Sequence, residues 1–187
     1  AAQDPAMIER TLDINLLGPL LGTQLAVQRM LPRGHGHVVN VASLAGKSGP
    51  PGLVAYAASK HGVVGLTEAV RAELWGQGLD FTVVMPGPVA TQMMDGTHEV
   101  KAVKLIPPAE VAAAILDALH TGRPEVYVPR SLGTLARNGL LLSPSVRIRL
   151  NRALGVHKIY TDVDDAARER YERWMAQEAG SRKPGDA

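Results

Sequence analysis

The chain contains no cysteine among its 187 residues. That excludes a disulfide scaffold and any thiolate metal site, and it fits a reducing compartment such as the cytoplasm. Charge of one sign is equally scarce: 20 Lys and Arg stand against 18 Asp and Glu, a net charge of +2. So small an excess gives no electrostatic footprint for nucleic acid, which is not expected as a partner. Gln24, Gln28 and Arg29 interrupt the longest apolar candidate, so no transmembrane segment is expected. No secretory leader is visible. Gly46, Gly49 and Gly52 have the wrong spacing for a dinucleotide-binding fingerprint and read as a flexible Gly/Pro loop. His35 and His37 lack acidic or histidine partners at ligand spacing; they read as exposed loop residues, and no metal site is expected. The chain opens on Ala1-Ala2 without an initiator methionine, which suggests a sequence whose beginning is not shown.

What is present reads as one globular domain with a real core: 45% hydrophobic and 20% charged residues are ordinary values. Asp4-Pro5 is a good helix start, and Ile8, Leu12, Leu16, Ala26, Val27 and Met30 keep helical spacing up to Leu31-Pro32. Gly18, Pro19 and Gly22 predict a kink or close approach within it. The continuous apolar stretch at about 37–42 reads as a parallel strand covered on both faces. A Gly/Pro-rich loop at 43–54 leads into a helix from about 55 to 76 or 78, apolar over more than one stripe. A second strand at 80–85 stops at Pro86-Gly87-Pro88. Residues 92–106 read as a mobile lid, with Met93 and Met94 as an adaptable apolar wall. A helix over 107–120 ends at Thr121-Gly122, and a short strand follows at 125–129.

The last third differs. No acidic residue occurs between 126 and 161, while Arg130, Arg137, Arg147, Arg149, Arg152 and Lys158 interleave with leucines, valines and isoleucines. Two readings are open: a peripheral membrane contact, or two helices packed on the domain with arginines snorkelling to solvent. Residues 162–179 read as a charged helix and 180–187 as a frayed end. The domain division is 1–130 and a C-terminal helical extension, 131–187.

The chemistry concentrates at Tyr56 and Lys60, four residues apart at the start of a helical pattern and so on one face. A free tyrosine, with a pKa near ~10, is a poor proton-transfer catalyst unless a cation favours its phenolate. Lys60 sits where that cation must be. Ser43 closes the preceding strand, and a hydroxyl there facing Tyr56 and Lys60 makes a candidate acid-base site.

The run Gly36-His-Val-Val-Asn-Val-Ala-Ser43-Leu-Ala-Gly46, the Tyr56/Lys60 pair and Pro86-Gly87-Pro88-Val89-Ala90-Thr91 together resemble the classical short-chain dehydrogenase/reductase family. Asp13-Ile14-Asn15-Leu16-Leu17-Gly18 is similar to a further motif of that family, whose asparagine belongs to the catalytic tetrad. The likeness covers about residues 4–129. It implies a Rossmann-like, doubly wound parallel sheet in an α/β/α sandwich, with the N-terminal dinucleotide-binding half missing from this sequence. It further implies an NAD- or NADP-dependent oxidoreductase acting on a secondary alcohol or a carbonyl. Asn15, Ser43, Tyr56 and Lys60 would be catalytic. Tyr56, Lys60, Pro86, Gly87, Val89 and Thr91 would meet the cofactor. Ser43, Leu44, Tyr56 and Met93 would meet substrate, whose lipophilic character is suggested by Leu44, Leu53, Val54, Met93 and Met94. A homodimer or homotetramer built on the first helix and the helix after Ser43 is implied as well. A non-catalytic fragment or scaffold is the alternative, with the strand before Ser43 left as an open edge.

Overall fold

The computed structural model describes residues 3–94, 97, 104–139, 142–155, 157–162, 164, 166, 170 and 173. Asp4 caps the first helix, α1 (Pro5–Leu12), with Oδ1 accepting from the Ala6 N–H at 3.0 Å. The helix then widens into a π-helical turn at Asp13–Leu17 before continuing as α2 (Gly18–Met30). The sequence places a kink or close approach at Gly18, Pro19 and Gly22; the structure shows the irregularity as the π-helical turn just before them, where Pro19, lacking an N–H, cannot bond back to the preceding turn.

Three strands follow: β1 (Gly36–Val41), β2 (Leu79–Pro86) and β3 (Glu125–Val128). They pair in parallel in the order β1-β2-β3, with Asn40 opposite Val83 and Met85 opposite Tyr127. The connections are α3 (Val54–Glu73) and α4 (Pro108–Thr121), the latter closed by Gly122 in the left-handed conformation at φ 64°. The period-2 alternation divides the core cleanly. Ala42, Val83, Met85 and Tyr127 pack against Val63 and Val64 of α3 on one face. Val84, Val126 and Val128 pack against Ala118 of α4 on the other, with Val39, Val111 and Ile115 at the margin. This is the α/β/α sandwich expected.

Asn40 is one of several buried polar residues in this core, with Thr23, Ser59, Thr67 and Thr82. Its side chain bonds Thr23 of α2 and Thr67 of α3, at 3.2 and 3.0 Å, and so joins three elements across a buried space.

Three expectations need correction. β1 stands at one edge of the sheet among the described residues, so Val38 and Val39 are half-buried rather than fully covered and Val41 is 43% exposed. His37 is not an exposed loop residue: it lies in β1, half-buried, with Nε2 2.8 Å from the Thr82 hydroxyl. The basic C-terminal stretch splits. In α5 (Arg130–Gly139) Gly133 packs on the Tyr127 ring, as a helix packed on the domain should. In α6 (Pro144–Ala153), by contrast, Val146, Ile148 and Leu150 are exposed. A short α7 (Lys158–Thr161) follows, and most of the charged helix expected at 162–179 lies outside the described residues. No helix among the described residues is long and apolar enough to cross a membrane.

Candidate active site

Parallel sheets open their loops at the carboxyl ends of the strands, and the singled-out residues converge there. The Ser43 hydroxyl accepts from the Ala45 N–H at 3.1 Å, capping a 3-10 turn at Leu44–Gly46. It donates to the Pro86 carbonyl at 3.4 Å, tying the end of β1 to the end of β2. A bond that long is weak and readily exchanged for a better acceptor.

Tyr56 and Lys60 both lie in the first two turns of α3 and are half-buried. The Lys60 ammonium stands 5.7 Å from the centre of the Tyr56 ring and donates to the Val41 carbonyl at 3.1 Å. Burial pushes the Lys60 pKa below its ordinary value. Glycine makes this proximity possible. A Cβ at Gly46 would lie 2.7 Å from the Lys60 carbonyl oxygen, so only a glycine lets the loop after Ser43 rest on α3 here.

Asn15 occupies the π-helical turn, half-buried. Its neighbour Leu16 fills the notch left by Gly62, two residues beyond Lys60, so the turn is keyed into α3 beside the site. The second loop is fixed by backbone bonds: Gly87 N–H to Val128 O at 2.9 Å, and Ile106 N–H to Pro88 O at 2.8 Å. Val89 pairs with Ile106, and the exposed Thr91 bonds back to the Val89 carbonyl at 3.4 Å. Leu44 leans on the core toward Gly87.

The structure thus brings Ser43, Leu44, Tyr56, Lys60, Pro86 and Gly87 to one sheet edge, with Asn15 keyed in beside α3. The methionine wall does not form as a pair. Met93 is 42% exposed, whereas Met94 is buried beneath the 3-10 turn at Gln92–Met94. Most of the lid expected at 92–106 lies outside the described residues.

Two features escape the motif reading. Lys47 bridges Glu68 of α3 at 3.0 Å and Glu125 of β3 at 3.1 Å. Burial alone would lower its pKa, but the bonds to the two carboxylates outweigh that and raise it. The other is Tyr160 of α7, whose backbone presses on Gly52 in the loop leading to Tyr56. Neither has a local sequence signal, since each partner lies far along the chain. Among the described residues no group of three or more His, Asp or Glu is placed to hold a metal ion.

The sequence model for "short chain dehydrogenase" matches residues 1–102, more than half of the chain. The chain belongs to that family. Ketoacyl reductase HetN from Nostoc is 37% identical over 159 residues, covering 81% of this chain and 55% of the relative. The short-chain dehydrogenase/reductase olcF from Penicillium canescens is 33% identical, covering 84% and 58% respectively. Glycine betaine reductase ATRR from Emericella nidulans is 38% identical over 136 residues, which are only 11% of its length. A short chain dehydrogenase from Burkholderia cenocepacia, solved in complex with NADP, superposes with a TM-score of 0.66 at 28% identity. That superposition covers 82% of this chain and 63% of that one. The chain therefore spans little more than half the length of HetN and olcF.

Proposed function

We propose that the full-length protein is an NAD(P)-dependent oxidoreductase that interconverts a secondary alcohol and a ketone or aldehyde. One observation carries the reading: a half-buried ammonium, Lys60, within 5.7 Å of the Tyr56 ring at the carboxyl edge of a parallel sheet. The names of the relatives, ketoacyl reductase among them, agree with carbonyl chemistry.

The nicotinamide end of a cofactor fits these residues. Lys60 carries a charge that burial leaves poorly compensated, and ribose hydroxyls would complement it. Tyr56 would share that contact. Pro86, Gly87, the Val89 backbone and the Thr91 hydroxyl would line the nicotinamide. Among the described residues Gly46 and Gly52 do not offer the pyrophosphate end a cradle, since Lys60, Val64 and Tyr160 lie close against them. Choice between NAD and NADP is therefore outside this site. The bound cofactor would supply the hydride.

The chain's own residues handle the proton. Tyr56 would give its hydroxyl proton to the carbonyl oxygen during reduction and recover it during oxidation. Ser43 would turn its hydroxyl from Pro86 toward that oxygen and polarise it. Lys60 would favour the phenolate, and Asn15 would hold a water that completes a proton relay. Substrate would rest on Leu44 and Met93, which favours lipophilic alcohols and ketones. A cytoplasmic location and a homo-oligomer belong to the same reading. In the full-length enzyme Tyr56→Phe should lose ~10²- to 10⁴-fold in kcat with the fold intact by circular dichroism. Turnover at the wild-type rate would remove the phenol from the mechanism.

A second reading rests on the open edge at β1 and the filled glycine positions: these 187 residues by themselves are a non-catalytic scaffold. Titration with NADPH fluorescence of both forms separates the two, since the full-length protein should bind the cofactor. The 187-residue chain should bind weakly or not at all, and tight binding by it would sink the scaffold reading.

A further inference from the structure

α6 is a helix with almost nothing packed on it. Of its ten residues nine are exposed, and only Arg147 is half-buried. A helix that short is marginal in water by itself, since most helical stability comes from burying an apolar face. Such a face is present: Val146, Leu150 and, just past the last turn, Leu154 recur every four residues, and all three are exposed. By helical spacing Arg147 and Arg149 flank this stripe, while Arg152 and Ile148 fall on the far side.

Charge decides what can cover the stripe. Residues 126–161 hold six Lys and Arg and no acidic residue, so with a net charge of +2 overall the rest of the chain carries −4. Among the described residues no carboxylate pairs with Arg147, Arg149 or Arg152. A second copy docked stripe to stripe would bring these unopposed arginines together. An anionic lipid surface complements both parts, taking the stripe among its acyl chains while the guanidiniums reach its headgroups. At ~1.5 Å per residue α6 is about 15 Å long, half of a ~30 Å hydrocarbon core, so it can lie in the interface but not cross it.

We propose that α6 is a peripheral membrane contact that lays Val146, Leu150 and Leu154 into the surface of an anionic bilayer. The contact is independent of the chemistry proposed for Tyr56 and Lys60.

The experiment sediments the full-length protein with vesicles of phosphatidylcholine alone, and of phosphatidylcholine mixed with phosphatidylglycerol. The protein should pellet with the mixed vesicles and be released by high salt, which screens the attraction. Arg147→Gln, Arg149→Gln and Arg152→Gln combined should weaken that binding roughly 100-fold, at about fivefold for each cation. Leu150→Gln should weaken it roughly five- to tenfold, and Ile148→Gln, on the far side, by less than about twofold. Circular dichroism should show the fold intact in each variant, since these positions are exposed or half-buried. Equal pelleting with both kinds of vesicle, pelleting with neither, or equal losses in Leu150→Gln and Ile148→Gln overturns the proposal. So does a Leu150→Gln protein that changes its assembly state without vesicles yet binds them like wild type, which assigns the stripe to a second copy.

Discussion

At the scale of single residues, the site trades stability for charge. Lys60 is an ammonium half removed from water that donates to the Val41 carbonyl. Its folded pKa lies below the ordinary lysine value of 10.5. The fold therefore carries an energetic cost that is fully present below the folded pKa. The cost fades as pH rises from there toward 10.5, where the unfolded chain also loses the proton. Lys60→Met should accordingly stabilise the protein by ~1 kcal/mol at pH 8, even while the activity proposed above is lost. Urea unfolding at pH 8 and again near 10.5 checks this. The advantage of the variant should shrink at the higher pH, and a constant advantage would remove the buried charge as its cause. Lys47 has the opposite sign. Its pKa is raised by Glu68 and Glu125 against the pull of burial, so its contribution holds below 10.5 and is lost as pH climbs through the folded value. With Glu68 nearly half exposed, Lys47→Met should cost only ~1 kcal/mol, read by the same unfolding experiment at pH 8. Ser43, Tyr56 and Lys60 were legible in the sequence because a strand end and an i,i+4 pair are local patterns. The partners of Lys47 and Lys60 were not, since Val41, Glu68 and Glu125 meet them only after the chain has crossed the sheet.

At the scale of elements, the alternation of strand and helix was readable, while the way the helices divide between faces was not. α3 and α4 both step in the same direction across the sheet, from β1 to β2 and from β2 to β3. They nevertheless pack on opposite faces. The two crossovers must then have opposite hands, and one departs from the right-handed rule for such units. The face of α3 is already occupied by the first helices, with Leu16 keyed into Gly62 and Asn40 bonded to both Thr23 and Thr67. That polar triad has no apolar period and so leaves no mark in a hydrophobicity pattern. Asn40→Ala should cost ~2–4 kcal/mol, because it leaves two buried threonine hydroxyls to find new partners in addition to a cavity. The glycines of α3's contacts make a sharper comparison. A methyl group at Gly62 would meet the tip of the Leu16 side chain, which can rotate away, so Gly62→Ala should cost under ~1 kcal/mol. A methyl group at Gly46 would meet the backbone of Lys60, which cannot move without α3, and Gly46→Ala should cost ~2–3 kcal/mol. Equal midpoints in urea for the two variants would contradict the geometric ranking.

At the scale of the whole molecule, the open edge at β1 was foreseen on the fragment reading, whereas the return of Tyr160 to the loop at Gly52 and the exposed length of α6 were not, because both depend on distant segments. What covers the outer helices is a question of the same scale. Ile14, Leu17, Leu21 and Leu25 recur at helical spacing along the π-turn and α2, and all are exposed, Leu25 by 58%. α3 turns an outer face of small residues to solvent as well, at Ala58, Gly65, Ala69 and Ala72. A ladder of four exposed apolar side chains beside a flat, small-residue helix is an arrangement that a self-complementary partner can cover, each ladder resting on the flat face of the other copy. The sequence reading anticipates this from the second apolar stripe of α3, although in the structure the larger side chains come from α2. The full-length protein should therefore sediment as a dimer or a higher even-numbered assembly. A charge placed at the most exposed rung, Leu25→Glu, should shift it toward monomer by at least tenfold in dissociation constant, since a carboxylate buried without a partner would be too costly to retain. The residues proposed for catalysis are untouched by that change, so on that proposal turnover per chain should persist at low protein concentration. If Leu25→Glu leaves the sedimentation profile unaltered, the ladder faces solvent in the assembled protein and the copies meet through a different surface.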